Sequence, residues 1–375
     1  MRILYVTTVG GMMNFFKSFI YRLIKEGHTV DIACNHTDAV PKLYRELGCR
    51  IYSISCTRNP VCTGTVKAVY DIKRIVKHQG YDIVHCHSPI ASMCTRIACM
   101  GERKKGLKVV YTAHGFHFYN GAPLKNWLIY YPIEKILSRF TDVLITINKE
   151  DYYRAAEKMN AKRTLYVPGV GIDTKRFATV KVNKAKKKRE IGVPVRAPLL
   201  LSIGELNENK NHKTVIYALA RMENKNIHYA VAGTGELRDE LISLARSIGV
   251  EDRVHLLGFR TDIAELCKVS DYYIHPSFRE GLPVSIMEAM ATGLPVLVSD
   301  TRGCTELAKG EGALLFDPYN ITECQSSISK ITKMDKEKMG DYNMKRIIPY
   351  SVENINSQMI DIYRGNYDGK YGYKA

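Results

Sequence analysis

Val- and Ile-rich runs alternate with segments of helical period from the first residues onward. "ILYVTTV" precedes "NFFKSFIYRLIKEG", "TVDIAC" precedes "AVPKLYRELG", and the alternation continues through "DIVHCH", "KVVYTAHG", "DVLITIN" and "TLYVPGV". Strands that are apolar at nearly every position are covered on both faces, and strands separated by helices pair in parallel, so the pattern predicts a doubly wound sheet. A second series of six strands follows in "PLLLSIGEL", "HYAVAGTG", "VHLLGF", "YYIHPS", "LPVLVSD" and "GALLF". Between the two series, "KVNKAKKKREIGVPVRA" is polar, basic and interrupted by prolines, as a connection would be. The expected architecture is α/β, with two doubly wound domains facing across a cleft. Residues 1–178 form the first domain, 179–197 a basic linker, and 198–348 the second domain. In the terminal segment, 349–375, the helix "SVENINSQMIDIYRG" carries an N-cap at Ser351 and a stripe of Val352, Ile355, Met359 and Ile362, which must be buried and is expected to pack back on the first domain.

Composition sharpens this picture. A chain of 375 residues exceeds the usual size of one core, and 45% hydrophobic with 25% charged residues excludes disorder as the ground state. The net charge of +17 is uneven: residues 1–180 hold 27 Lys and Arg against 13 Asp and Glu, the remainder 28 against 25. A basic first half predicts an anionic partner, whether nucleic acid, acidic lipid or a phosphorylated substrate. No apolar run reaches membrane-spanning length, and the opening "MRILYVTTV" reads as a strand and not as a leader, so the expected setting is cytoplasmic. The ten cysteines form no regular framework and read as small core residues. His85 and His87 share one face of a strand near Cys94 and Cys99, but Cys86 faces away and no second pair follows at zinc spacing. A strand end beside a pocket fits them better than a metal site.

In open parallel sheets the ligand crevice lies beyond the carboxyl ends of the strands, and the chemically suggestive groups cluster there. After the strand "YYIHPS" come Glu280, Gly281, Leu282 and Pro283, with Pro283 placed as a first helical residue and Gly293 past the helix end. The uncapped end of such a helix offers N–H groups and a positive dipole to a diphosphate, and Gly281 permits close backbone approach. Glu280 can accept hydroxyls of an attached sugar. Glu288, a turn and a half into the helix, can accept two vicinal hydroxyls of a ribose. A solvated, capped helix would show the same two glutamates, so the surrounding sequence decides.

That sequence, "FREGLPVSIMEAMATGLPVLVSD", resembles the donor-site signature of the family 4 retaining glycosyltransferases of the GT-B fold. The likeness runs along the chain through "TTVGG", "AHGFHFYNGAPL", "YVPGVGID", "SIGELNENKNH", "VAGTGELRDEL" and "VHLLGF", and its middle portion is similar to the branch that builds bacterial capsules and exopolysaccharides. The resemblance implies that Glu280 holds the transferred sugar, Glu288 the ribose and Lys210 the diphosphate. It places Gly204 and Gly233 near the nucleotide, the backbone at Gly258 and Phe259 against the base, Gly10 and Gly11 in the first-domain loop, and His114 at the sugar and reaction centre, with His117 a weaker candidate. Where the family commonly has Arg after the first glycine this chain has Glu205, so Lys210, or Arg279, would carry more of the phosphate charge.

The expected reaction is displacement of a nucleoside diphosphate, UDP in the simplest case, from a hexose or N-acetylhexosamine by a hydroxyl of a lipid-diphosphate-linked glycan. The resemblance implies front-face attack with retention. No Asp-x-Asp pair is placed to hold a metal, so no cofactor is expected beyond the nucleotide sugar as co-substrate. The aromatic stretch "GFHFYNGAPLKNWLIYYPIEKILSRF" and the basic helices "KSFIYRLIKEG" and "TVKAVYDIKRIVKHQG" suit an enzyme peripheral on an anionic inner membrane face. Epimerisation of a sugar nucleotide on the same fold is the alternative. A nucleic-acid-binding protein is a further one, but no recognition helix or stacking-aromatic motif is present, and no nucleic-acid partner is expected.

Overall fold

The computed structural model describes residues 1–57 and 63–367; residues 368–375 of the expected terminal segment lie outside the described residues. Contacts divide the chain into a discontinuous unit, residues 1–170 with 352–375, and a continuous one, residues 171–351. The first unit is built on β1 (Arg2–Val9), β2 (Thr29–Asn35), β3 (Ile51–Ser53), β4 (Ile83–His87), β5 (Lys108–Ala113), β6 (Val143–Thr146) and β7 (Arg163–Tyr166). All pair in parallel, in the order β3-β2-β1-β4-β5-β6-β7. Chain order reverses between β1 and β4, which opens a crevice at their carboxyl ends. The second unit repeats the plan with β8 (Leu199–Ile203), β9 (His228–Ala232), β10 (Val254–Gly258), β11 (Tyr272–His275), β12 (Val296–Ser299) and β13 (Ala313–Phe316), in the order β10-β9-β8-β11-β12-β13. Its switch lies between β8 and β11.

The apolar runs form these strands because both faces are covered. Leu4, Val6, Val84 and Cys86 lie in one core layer of the first unit, and Ile3, Tyr5, Ile32 and Ile83 in the other. Ile355, Met359 and Ile362 of the terminal helix Val352–Arg364 join the second of these layers, and the Tyr363 hydroxyl donates to that of Tyr5 at 2.9 Å. Three of the four residues of the stripe expected from sequence are thus buried on the first unit, while Val352 at the start of the helix is only partly covered.

Two expectations are corrected. The first unit ends at Val170, eight residues before the predicted boundary at 178. The predicted linker is no bare connection either, because it contains the helix Lys184–Glu190, anchored in the second unit. Lys187 Nζ meets Asp262, Glu265 and Glu190 at 2.8, 2.8 and 3.0 Å, and Lys188 Nζ donates to the Ala197 carbonyl at 2.8 Å. A basic run reads as solvated until the carboxylates that meet it, far along the chain, are placed.

Candidate functional site

The second unit gathers most of the predicted residues at its switch point. β8 ends before Gly204, and a Cβ there would stand 3.3 Å from Cδ and Cε of Lys210, so the lysine stem lies along the bare backbone. Gly233, at the end of β9, is pressed on the same loop: a Cβ would fall 1.8 Å from the Gly204 carbonyl oxygen. Asn207 caps the short turn Glu208–Lys210, its side chain accepting from Lys210 N at 3.1 Å. Asn211, held at φ 52°, donates through Nδ2 to the carbonyls of Pro276 and Pro318 at 3.1 and 2.9 Å, and Phe278 N donates to Asn209 O at 2.9 Å. The loops after β8 and β11 are stitched together in this way. The result is an ion pair between residues seventy apart, Lys210 Nζ to Glu280 Oε1 at 2.6 Å.

A polarised chain stands behind Glu280. His275 Nε2 lies 3.0 Å from Glu280 Oε1, and its Nδ1 lies 3.1 Å from the Tyr273 hydroxyl. A carboxylate only accepts, so His275 donates from Nε2 and accepts at Nδ1 from Tyr273, which in turn bonds Ser285. Burial opposes ionisation of Glu280, but the His275 hydrogen bond and the Lys210 charge outweigh it and hold the carboxyl well below the usual range. Burial likewise lowers His275, against the pull of Glu280. Sequence reasoning missed His275. Its only signal was a histidine ending a strand five residues before the glutamate.

The helix after this loop runs Val284–Ala291, with Pro283 as N-cap at φ −73°, ψ 117° and no side-chain cap. Pro283 was expected inside the helix; its extended ψ leaves it one position outside. The first-turn N–H groups are therefore not taken by a capping side chain. Leu282 is buried, and Gly303, at φ 77°, packs so close that a Cβ would reach 2.3 Å from the Gly281 carbonyl oxygen. Gly293, at φ 78°, follows the helix end as expected. Glu288 lies in the body of the helix. No group among the described residues hydrogen-bonds its carboxylate, and burial pushes its pKa up to about 7 against a weak opposing pull from Arg176. Gly258 accepts a backbone hydrogen bond from Gly233 at 2.9 Å, which brings these two predicted glycines together, while Phe259 beside it is 79% exposed. Glu205 and Arg279 are both exposed.

In the first unit Gly10 and Gly11 differ. A Cβ on Gly10 would meet His36 O at 2.5 Å, whereas one on Gly11 would meet nothing within 4 Å. Close packing thus accounts for Gly10 without a ligand. The loops after β1 and β4 are joined by Thr8 Oγ1 to Ser88 Oγ at 2.6 Å, with Ser88 at φ 68°, a strained value outside glycine. Beside them lies a depression of about 330 Å³ lined by Thr8, Met12, Ser88, Ile90, His117 and Tyr130, the last two rings stacked at 4.5 Å. His114 follows β5, its Nε2 3.0 Å from Nδ1 of His87. Burial lowers its pKa to about 4, so it is a neutral imidazole. His85, on the same face as His87, bonds Tyr363 and Thr112 at 2.6 and 2.8 Å. Among the described residues no group of three or more His, Cys, Asp or Glu is arranged to hold a metal.

Comparison with known proteins identifies the family and the fold. The family described as Glycosyltransferase Family 4 matches residues 9–176, and Glycosyl transferases group 1 matches residues 183–346. EpsD of Bacillus subtilis (strain 168), named as a glycosyltransferase, is 34% identical over 98% of this chain and 97% of its own. The UDP-Gal:alpha-D-GlcNAc-diphosphoundecaprenol alpha-1,3-galactosyltransferase of Escherichia coli is 29% identical over 75% of this chain and 73% of its own. Among solved structures, Anabaena HepE in complex with UDP and glucose superposes with a TM-score of 0.79 at 20% identity, covering 97% of this chain and all of that one. Two Rossmann-like parallel sheets, a family match on each and a relative alike from end to end lead to one conclusion: this chain belongs to the family 4 glycosyltransferases of the GT-B fold.

Proposed function

We propose that this glycosyltransferase moves a hexose or N-acetylhexosamine, with retention, from a UDP-sugar to a lipid-diphosphate-linked glycan during bacterial surface polysaccharide synthesis. One observation carries the reading: the Lys210–Glu280 pair stands at the β8/β11 switch, just before a helix whose first turn has no side-chain cap. A lysine and free N–H groups together suit a leaving diphosphate, whose charge grows as the anomeric bond breaks. Glu280, kept ionised, accepts hydroxyls of the transferred sugar. Glu288 accepts those of the ribose, and the strand ends at Gly204, Gly233 and Gly258 form the nucleotide's floor. His114 contacts the sugar in the first unit, and the depression lined by Thr8, Ser88 and Tyr130 receives the acceptor. The departing phosphate takes the acceptor's proton on the face it leaves, so no carboxylate nucleophile and no metal are needed. The Escherichia coli relative, whose name records a UDP-sugar donor, a diphosphoundecaprenol-linked acceptor and an alpha-linked product, supports the substrates and the stereochemistry.

An anionic membrane surface completes the proposal. No helix among the described residues is long and apolar enough to cross a membrane. The helix Leu124–Ser138, however, turns Leu124, Leu128, Ile129 and Ile136 outward at 72, 68, 51 and 57% exposure. Lys125 and Lys135 are exposed with them, and no acidic residue of that helix is exposed. An apolar face with cations and no anions favours a negatively charged lipid surface.

The test is a panel of radiolabelled nucleotide sugars offered with undecaprenyl-diphosphate-linked acceptors in anionic vesicles, with and without EDTA. We expect one UDP-sugar to label the lipid in alpha linkage at a rate that EDTA leaves unchanged. A donor isomerised without acceptor, a beta-linked product or abolition by EDTA would each overturn the corresponding part.

A further inference from the structure

His87, the last residue of β4, is fully buried beneath His114. Its Nδ1 lies 3.0 Å from His114 Nε2, and its Nε2 is shut from solvent with no hydrogen-bond partner among the described residues. Burial, reinforced by the neighbouring imidazoles, drives His87 well below its ordinary pKa, and burial alone does the same to His114, so both rings are neutral. A neutral imidazole has one N–H and one lone pair. Two arrangements of the shared hydrogen bond follow.

If His114 donated from Nε2, the proton of His87 would sit on its own Nε2, a buried N–H with no acceptor among the described residues. If His87 donates from Nδ1, the orphan is only a lone pair, the more readily tolerated deficit. The second arrangement wins, and its consequence passes to the neighbouring ring. With Nε2 of His114 accepting, the proton of His114 must lie on Nδ1, which no protein group takes among the described residues.

We propose that His87 is a positioning residue that fixes His114 as its Nδ1–H tautomer, so that His114 meets the substrate as a hydrogen-bond donor and not as a base. His85, its ring tilted 39° against that of His87 at 4.1 Å between centres and itself held by Tyr363 and Thr112, limits the rotation of the His87 ring. The proposal rests on the reading that His114 faces the sugar, but the tautomer itself does not.

Long-range 1H–15N correlation on the full chain carrying 15N-histidine, assigned with a His114→Gln variant, tests it. The expected spectrum gives His114 a pyrrole-type Nδ1 and a pyridine-type Nε2, and His87→Leu releases His114 into a mixture of tautomers. In the same variant kcat falls by about tenfold or more with little change in the KM for the donor, because orientation at the reacting centre is lost while donor binding remains. His87→Asn, whose amide nitrogen can stand at the place of Nδ1, restores most of the rate. A proton on Nε2 of His114 in the wild-type chain overturns the proposal, and should His87→Leu fail to fold, that spectrum decides alone. Full transfer by His114→Ala would instead sink the assignment of His114 to the sugar and leave the tautomer result standing.

Discussion

Replacing Glu288 with glutamine separates nucleotide recognition from the cost of burying a charge. In the free protein, burial raises this carboxyl from 4.5 to about 7, with Arg176 opposing weakly. At about 1.4 kcal/mol per pH unit, keeping it ionised above neutrality costs the fold about 3 kcal/mol. Because the folded pKa lies above the unfolded one, the stability is full below pH 4.5 and is lost as pH rises through 7. Glu288→Gln should therefore be the more stable protein at pH 8, with no ligand present. Binding reverses the order: two ribose hydroxyls donating one to each carboxylate oxygen need the ionised form, so UDP bound in this way must expel the proton wherever Glu288 still holds it. Below pH 7 wild-type affinity should fall about tenfold per pH unit, roughly thirtyfold by pH 5.5 relative to pH 8.5. Calorimetric titration of both proteins at the two pH values reads this directly, since titration of UDP's own phosphate is common to both and cancels in the comparison. Equal pH dependence in wild type and variant, or full affinity for 2′-deoxy-UDP, would refute the assignment of Glu288 to the ribose.

Lys210→Ala and Glu280→Ala should each lower kcat/KM by about a hundredfold or more with unchanged far-UV circular dichroism, since each removes a group aimed at charge that develops in transfer. Near-normal turnover in both would remove the site from the β8/β11 switch. Gly233→Ala forces a Cβ toward the Gly204 carbonyl at 1.8 Å and should lower the melting temperature as well as the rate, by about 1–3 kcal/mol of stability or more. Arg96 Nη1 meets Glu134 Oε2 at 2.8 Å in the interior of the first unit, so Glu134→Ala, which strands the cation, should cost about 3–5 kcal/mol, read in urea from the fluorescence of Trp127, the sole tryptophan. Leu128→Glu should weaken sedimentation with anionic vesicles and leave transfer to a short-chain, water-soluble acceptor intact.

Much of the fold was legible because period and burial are local properties of a chain. Every long apolar run became a strand; the strand that escaped, Ile51–Ser53, is three residues long and sits at a sheet edge, too short to show a period. Lys210 and Glu280 were legible as candidates, and their direct ion pair was not, because it depends on asparagine bonds that tie two loops far apart in sequence. Gly10 shows the opposite failure. A glycine tells the reader that no side chain is present, and here the space is filled by the chain's own His36 carbonyl and by Val40, through its side chain and backbone, and not by a substrate. His275, and the part that His87 plays, escaped for a further reason: each acts through another residue, and a hydrogen-bond partner is a property of the folded arrangement.

The interrupted make-up of the first unit has a consequence for how the protein is born. Its core needs Ile355, Met359 and Ile362, yet residues 171–351 are synthesised in between. At elongation speeds of about 5–20 residues per second the ribosome takes on the order of ten to forty seconds to cross that interval. Throughout it the nascent sheet offers a greasy flank to its surroundings while the later lobe, whose chain is unbroken, is free to mature first. Chaperone demand should accordingly concentrate on ribosomes that have passed residue 170 and have not yet reached 364.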